Sequence, residues 1–552
     1  MELELFEKTW LDAWEGKEPH EPVGAVFTKP EIVSLILDLA GYKASAERLS
    51  RRRILEPSCG DGAFLGEVIV RMLDSEQKHA GLVDWDDPHL AEAIRACDLN
   101  SGFVGLARQS VRKILGEAGC PMHRAESLAE QWIVHADFLL TGWSERFDFV
   151  VGNPPYVRIE DLPANILQRY RSLYQTCADR ADLYVAFFEK GLRLLAPQGC
   201  LAYICANRFA KNLYGRRLRE LIAQHYRVRY YLNLEHTQPF ANEVSAYPCI
   251  TVIDGERGGP TLATTLEDIE PATLFALQPD LAGDSSVTKL VRFREWYQDG
   301  APWIATQRDT FDHLTSLASR FPCLEESATE TTVGIGVATG ADDIYVRSAK
   351  TPDIEESCQL PLVMAADISP ARIDWSGHYL IDPFDDESAT GLRDLGAFPA
   401  LAAYFEKHRV HLQRRHVAKK RPHAWYRTID RVTHTLTSKP KLVLPDIQQG
   451  GVIGFDAGAY YPHHNVYWIT SAGWNLPALQ ALLRSTLVLD QIRAHSVQMR
   501  GGSLRYQAQV LRKIRVPAAS SLAVSLVERL AASAGSSDQQ RLDELAHEAY
   551  AL

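Results

Sequence analysis

Apolar and polar positions follow two alternating periods along the first half of the chain. Short apolar runs read as strands at Arg53–Pro57, Ala93–Asp98, Trp132–His135, Phe147–Val151, Gly199–Ile204, Val228–Leu234 and Tyr247–Ile253. Between them the apolar residues recur at helical spacing. Phe64, Leu65, Val68, Ile69 and Met72 form a stripe on a helix over Asp61–Leu73. A second helix follows Asp98 and runs through Leu115, and Leu183–Leu195 and Leu213–His225 are two more. Strands alternating with helices predict a mostly parallel sheet covered on both faces, with ligands bound beyond the carboxyl ends of its strands. The alternation stops near Asp254-Gly255-Glu256-Arg257-Gly258-Gly259-Pro260, a composition that reads as a linker. Beyond it the pattern is irregular, and from about Ser520 an Ala- and Ser-rich stretch with helical spacing predicts a small terminal helix bundle. An α/β domain over 1–256 and a mixed α+β domain over 257–552 are therefore expected.

Composition narrows the class. At 552 residues, 46% hydrophobic and 23% charged, the chain is that of a folded globular protein. A formal net charge of −11 argues against a uniformly basic nucleic-acid binder but leaves room for a local basic cleft. The start, Met1-Glu2-Leu3-Glu4-Leu5, lacks the layout of a signal peptide, and no apolar run is long enough for a bilayer, so a cytoplasmic protein with no membrane partner is expected. The nine cysteines are scattered with no Cys-x-x-Cys pair, and Cys200 and Cys205 share one strand region and read as core. No disulfide framework, structural zinc or other metal centre is expected.

The chemistry lies at the strand ends. Val151-Gly152-Asn153-Pro154-Pro155-Tyr156 closes an apolar strand with a stiff, polar-tipped turn and an aromatic ring. Two prolines fix φ and remove donors, so the Asn153 side-chain carbonyl and the Pro154 backbone carbonyl can accept both hydrogens of a planar amino group while Tyr156 stacks on its ring. That arrangement suits methyl transfer to a deactivated ring amine; an ordinary strand-end turn is the alternative. Glu56-Pro57-Ser58-Cys59-Gly60-Asp61-Gly62 joins the first strand to the first helix. Its glycines permit close approach of a ligand, but Gly-x-Gly-x-x-Gly is absent, and the acidic residues suit an ammonium better than a phosphate. Asp98 ends the second strand, where a carboxylate can accept ribose hydroxyls, and Asp137 with Phe138 follows the third, where they can meet an adenine. Acidic groups at three successive strand ends, with Asn-Pro-Pro-Tyr at the fourth, outline an S-adenosylmethionine site.

With these motifs in hand, the chain resembles the gamma-class, TaqI-like adenine-N6 DNA methyltransferases of restriction-modification and related defence systems. Gly24-Ala25-Val26-Phe27-Thr28-Lys29-Pro30-Glu31 is similar to their N-terminal cofactor motif, which implies that Thr28 contacts the methionine carboxylate. The resemblance implies cofactor contacts at Glu56, Pro57, Ser58, Gly60, Asp98, Asp137, Phe138 and Pro155, and a catalytic Asn153, Pro154 and Tyr156. Asp182–Phe188 resembles the next motif, with Phe187 at the cofactor wall, and Asn207–Leu221 the segment that brings a second stacking ring, best matched by Tyr214 with Phe209 as the alternative. Gly334–Asp343 and Met499–Gln507 through Pro517 resemble the start and end of a target-recognition region. The implied fold is a Rossmann-like, seven-stranded S-adenosylmethionine-dependent methyltransferase domain followed by a mixed α+β target-recognition domain. The implied partner is double-stranded DNA whose target base flips out of the helix.

Basic residues cluster between Lys407 and Arg431, where Arg414, Arg415, Lys419, Lys420, Arg421 and Arg427 are interleaved with Trp425 and Tyr426. Such a segment suits phosphate contact, as does a second set that includes Arg500 and Arg505. Asp12, Glu15 and Lys17 resemble a nuclease triad only by coincidence of composition, and the stretch before Thr28 is short for a nuclease domain. Methylation without cleavage is expected, with a separately encoded restriction endonuclease or defence partner. Cytosine N4, RNA or a protein glutamine as acceptor, and a non-catalytic specificity subunit, are the alternative readings.

Overall fold

A computed structural model of the protein describes residues 26–242, 247–255, 259–277, 290–293, 296–297, 299–303, 308–388, 390–496 and 502–551. Asp12, Glu15, Lys17 and Arg500 lie outside the described residues. The chain divides into two compact units, Met1–Phe311 and Asp312–Leu552.

The first unit is built on one sheet. Its strands are β1 (Ile54–Glu56), β2 (Ile94–Asp98), β3 (Ile133–His135), β4 (Phe147–Gly152), β5 (Leu195–Ala206), β6 (Arg227–Asn233), β7 (Pro248–Asp254), β8 (Thr261–Thr265) and β9 (Val291–Phe293), in the order β3-β2-β1-β4-β5-β7-β6-β8-β9. From β3 through β5 neighbouring strands pair in parallel, and β7 is inserted antiparallel between β5 and β6. This is the mostly parallel sheet that the strand–helix alternation predicts and the Rossmann-like fold that the resemblance implies, with β8 and β9 added to the seven expected strands. Among its helices are α1 (Pro30–Ala40), α2 (Ala63–Ala80), α3 (Ser101–Glu117), α4 (Tyr184–Arg193) and α5 (Arg216–His225). Helix α1 was not foreseen; Pro30 starts it, Gly41 at φ +90° stops it, and Ile32, Val33, Leu35, Ile36 and Leu37 are buried. One core layer, with Ile36, Phe64 and Ile94, covers one face of the sheet; another, with Leu55, Tyr184 and Leu201, covers the other. The expected boundary at 256/257 falls too early: β8 pairs in parallel with β6 and β9 continues from β8, so the sheet runs past the Gly-rich turn.

The second unit carries two four-stranded sheets. Thr331–Ile335 (β10), Lys441–Pro445 (β14), Gly454–Asp456 (β15) and Val466–Ser471 (β17) form the first. Val346–Arg347 (β11), Gln359–Val363 (β12), Tyr379–Ile381 (β13) and Tyr461–Pro462 (β16) form the second. The expected terminal helices are present at Val524–Ala532 and Gln539–Tyr550, and their apolar faces pack against Leu476–Leu483 in one core. Among the described residues no helix is long and apolar enough to cross a membrane.

The first sheet of this unit is pinned by a fully buried ion pair. Lys441 faces Asp456 across β14 and β15 with Nζ 2.6 Å from Oδ2, and Nζ also donates to the Leu436 and Thr437 carbonyls. Burial pushes the Lys441 ammonium below its ordinary range and Asp456 opposes that shift. Removing one member of a buried pair strands the other charge, at a cost of about 3–5 kcal/mol. Asp456→Ala is therefore expected to lower the stability of the second unit by that amount, read as an earlier transition in calorimetric unfolding, with the transition of the first unit unmoved.

Candidate active site

The carboxyl ends of β1, β2 and β4, with the segment that follows β3, meet in one cavity. Strand β1 delivers Glu56, and the chain then turns through Pro57–Gly62 into α2. The turn is tight enough that Gly62 sits at φ +91°, where a Cβ would lie 3.4 Å from the Ala107 backbone of α3. Asp98 holds this turn: one oxygen accepts from the Gly60 amide at 2.9 Å and the other from the Asn100 amide at 2.9 Å. Asp137 accepts from the Leu139 amide at 2.8 Å and from the Tyr170 hydroxyl. The Phe138 ring packs 5.0 Å from that of Phe187 on α4. Thr28, Glu56, Pro57, Ser58, Gly60, Asp98, Asp137, Phe138, Asn153, Pro155 and Phe187 all line the cavity, which encloses about 1220 Å³ counting its part open to solvent. The sequence did not single out Phe27 and Phe103, which meet edge to face at 6.1 Å in the same wall. Pro154 and Tyr156 are not among the lining residues.

Strand β4 ends at Gly152, whose φ of +147° favours glycine, and Asn153 follows. Ser58 Oγ donates to the Asn153 carbonyl at 3.1 Å, while Asn153 Nδ2 donates to the Val26 carbonyl at 2.8 Å and lies 3.4 Å from Thr28 Oγ1. The amide is thus held by its nitrogen end. Its oxygen, Oδ1, is buried with no hydrogen-bond partner among the described residues. The segment that holds it is itself fixed: Thr28 bridges to Phe240, Lys29 N donates to the Pro239 carbonyl and Ala241 N to the Phe27 carbonyl.

The sequence reading did not single out Phe240, a buried ring that meets Tyr156. Tyr156 is half-buried, edge to face with Tyr184 at 6.3 Å and with Phe240 at 6.2 Å. Tyr214, the expected second ring, instead donates its hydroxyl to Asp182 and shares a hydrogen bond with Tyr184. Phe209, the alternative, is fully buried among Tyr184, Phe188 and Trp303. The available signal was Pro239-Phe240, just beyond the carboxyl end of β6.

The electrostatics of the cavity are one-sided. Glu56, Asp61, Asp98 and Asp137 line it, and none of the described lining residues is basic. Burial, then Asp98 and Asp61, pushes the Glu56 carboxyl well above its ordinary range, and Glu56 Oε2 has no hydrogen-bond partner. Burial also raises Asp61, Asp98 and Asp137. Such a site gains from a ligand that brings positive charge.

In the second unit the basic segment splits in two. Arg414, Lys419, Lys420 and Arg421 are exposed. Arg415, expected to face DNA, is a structural latch: its guanidinium donates to the carbonyls of Thr339, Trp425 and Arg427 and to the Tyr345 hydroxyl. Arg505, partly exposed, pairs with Asp446 beside the short ladder it forms with Ile447. Arg427 lies over the Phe384 ring and lines a small basic pocket with Arg421, His423 and Arg431. Burial, then Arg421 and Arg431, holds the Arg427 guanidinium below its usual range, so this pocket favours an anion.

Residues 111–240 match the family of Eco57I restriction-modification methylases. The Type II methyltransferase M.BstVI of Geobacillus stearothermophilus is 41% identical over 545 residues, 96% of this chain and 96% of that protein. The Type II methyltransferase M.PaeR7I of Pseudomonas aeruginosa is 41% identical over 539 residues, 96% of this chain and 92% of that protein. Among solved structures, the Type IIL restriction-modification enzyme MmeI in complex with DNA shares the fold, with a TM-score of 0.60 at 14% identity over 95% of this chain and 74% of that chain.

An acid whose pKa is raised on folding destabilises the folded chain at pH above the ordinary carboxyl range, and the penalty fades as pH falls through the raised value toward the unfolded one. Glu56→Gln is therefore expected to melt above the unliganded parent at pH 8, with the gap narrowing toward pH 5. A gap of constant size across that range would contradict this account of Glu56.

Proposed function

Because this chain belongs to the Type II methyltransferases of restriction-modification systems, we propose that it transfers the methyl group of S-adenosylmethionine to N6 of an adenine flipped out of double-stranded DNA. The observation that carries this reading is the orphaned Asn153 Oδ1 at the end of β4. A buried carbonyl oxygen without a donor costs about 1–3 kcal/mol and is retained where a ligand supplies the donor. An exocyclic amine supplies two. Asn153 Oδ1 and the Pro154 carbonyl accept its hydrogens and draw the nitrogen toward tetrahedral geometry, so that its lone pair points at the methyl carbon. The donor supplies that carbon as an electrophile on a sulfonium. The N–C bond forms as the S–C bond breaks, the sulfur leaves neutral, and the amine loses one proton to water. Orientation and fixed dipoles carry the rate, with no general base assigned.

The cavity residues fit this donor by charge and shape. Glu56, with Thr28 and Ser58, takes the methionine end; Asp98 keeps lone pairs free for ribose hydroxyls beside its two backbone bonds; Asp137 meets the adenine amine while Phe138 and Phe187 flank the ring. Tyr156 and Phe240 are assigned as the two rings that receive the flipped base. Phosphate contact is assigned to Arg414, Lys419, Lys420, Arg421 and the Arg427 pocket, with Arg415 and Arg505 reassigned to structural positions. The reading is methylation without cleavage, since the relatives matched over nearly their whole length are named as methyltransferases. Its biological counterpart is a separately encoded restriction endonuclease.

Expression in a methylation-free host followed by single-molecule sequencing tests the assignment. N6-methyladenine at one short motif is expected, falling about 10²–10³-fold in Asn153→Ala, as when one preorganised polar group is removed from a transition-state site. N4-methylcytosine, or unmodified DNA from a chain that binds the donor, would overturn it. Stacking on an aromatic ring contributes about 1–3 kcal/mol per base. Phe240→Ala is accordingly expected to slow transfer to duplex DNA about 5- to 100-fold, with partial recovery when the target adenine is mispaired and already half-extruded. A defect equal on paired and mispaired targets would assign Phe240 to holding Thr28 alone.

A further inference from the structure

The second unit brings three metal-ligating side chains to one point. Asp342 opens the short helix Asp342–Tyr345 that follows the loop after β10, and His463 and His464 stand in the turn between β16 and β17. The two turns are stitched together by backbone: Val337 bridges His463, Val337 N donates to the Pro462 carbonyl and His463 N to the Val363 carbonyl. His463 Nε2 lies 3.1 Å from Asp342 Oδ2, His464 Nδ1 lies 3.0 Å from His463 Nε2, and His464 Nδ1 lies 3.6 Å from Asp342 Oδ2.

With a single proton on the His463 ring these contacts do not close as hydrogen bonds alone. His463 Nδ1 lies 2.7 Å from Asn465 Oδ1, so in the neutral ring the proton sits there and Nε2 keeps a lone pair. That lone pair faces a carboxylate oxygen and a second imidazole nitrogen. A single proton on His464 Nδ1 serves one of the three contacts and leaves lone pairs opposed in another. A cation at their centre serves all three. Ligands bound at about 2.0–2.1 Å in a tetrahedral site stand about 3.3–3.4 Å apart, and the observed separations bracket that distance. The supporting contacts are those of a metal site. Asn465 orients His463 from its far nitrogen, and Thr339 Oγ1 donates to the other Asp342 oxygen. His463 is buried, whereas Asp342 and His464 are roughly half exposed, which leaves a position open to water.

We propose that Asp342, His463 and His464 bind one divalent ion of the late first-row series, the two imidazoles and one carboxylate suiting zinc. The sequence reading expected no metal, since it looked for cysteine pairs and the ligands here are 121 residues apart. The ion clamps the Gly336–Asp343 turn to the strand that follows His464. The same turn receives Arg415 and the Ile429 amide at the Thr339 carbonyl, so the clamp bears on the base of the basic segment.

Tag-free full-length chain, stripped with chelator and dialysed, tests this by calorimetric titration with zinc chloride and by visible absorption with cobalt(II). One equivalent per chain is expected, with a tetrahedral cobalt spectrum and a melting temperature that rises with zinc. Affinity should fall at least about ten-fold in His464→Ala and in Asp342→Asn, and stay unchanged in Asn153→Ala. The two variants alter half-exposed side chains, so their folding can be verified by circular dichroism, whereas His463→Ala opens a cavity. A stripped parent with no saturable site overturns the proposal, and a doubly protonated His463 paired with Asp342 then accounts for the cluster. Equal binding by parent and both variants overturns it as well, by placing the ion elsewhere.

Discussion

The active cavity depends on how one amide is held. Asn153 reaches back from the end of β4 to donate to Val26, and that single bond fixes which end of the side chain faces outward. Were the amide free to rotate, its nitrogen could satisfy a solvent acceptor and its oxygen a solvent donor, and neither would be poised for a ligand. Holding the nitrogen commits the oxygen to a buried position without a partner. The segment around Thr28 therefore does more than wall the cavity. It orients the Asn153 amide, and it is in turn held by backbone bonds to Pro239 and Ala241 on either side of Phe240. Three stretches far apart in sequence (26–29, 152–156 and 239–241) form one mechanical unit.

Such a site costs stability, and the surrounding fold offsets it. Four acidic side chains in one lining, an orphaned carbonyl oxygen and an unpartnered Glu56 oxygen are each unfavourable in the unliganded chain. They sit where a parallel sheet can best tolerate them. Its strands are buried on both faces by two extensive apolar layers, while their carboxyl ends alone carry the polar groups. The placement explains why the cavity residues were legible from sequence. A carboxylate or asparagine just beyond an apolar strand breaks the pattern, and Glu56, Asp98, Asp137 and Asn153 each break it at the same point of the repeating unit.

Features set by side-chain direction were not legible in this way. Tyr214 and Phe240 are both aromatics beyond sheet elements, and nothing in their spacing tells that one hydrogen-bonds Asp182 while the other meets Tyr156. Arg414 and Arg415 are adjacent and chemically identical, yet one is exposed and the other fills three backbone carbonyls. The difference is made by loops that reach Arg415 from 76 residues away in one case and 12 in another. The edge strands β8 and β9 were missed for another reason. They are short, and the Gly- and Pro-rich turn before β8 looks like a domain linker although the sheet continues beyond it.

On the proposed reading, the acidic lining and the orphaned carbonyl do different work. Positive charge starts on sulfur and ends on the amine, so a group speeds transfer only if it interacts better with the later distribution than with the earlier one. Glu56, Asp98 and Asp137 are assigned to the ends of the donor that do not react, so their hydrogen bonds to it do not strengthen as the transition state forms. They supply affinity. Asn153 Oδ1 and the Pro154 carbonyl are assigned to the nitrogen that acquires charge, and Oδ1 is already buried and held when it arrives. They supply rate. The loss of the sulfonium charge also weakens the hold of an acidic cavity on the spent donor, so the same lining that captures the reactant favours departure of the product. A basic residue in that wall would reverse both effects, and none of the lining residues is basic.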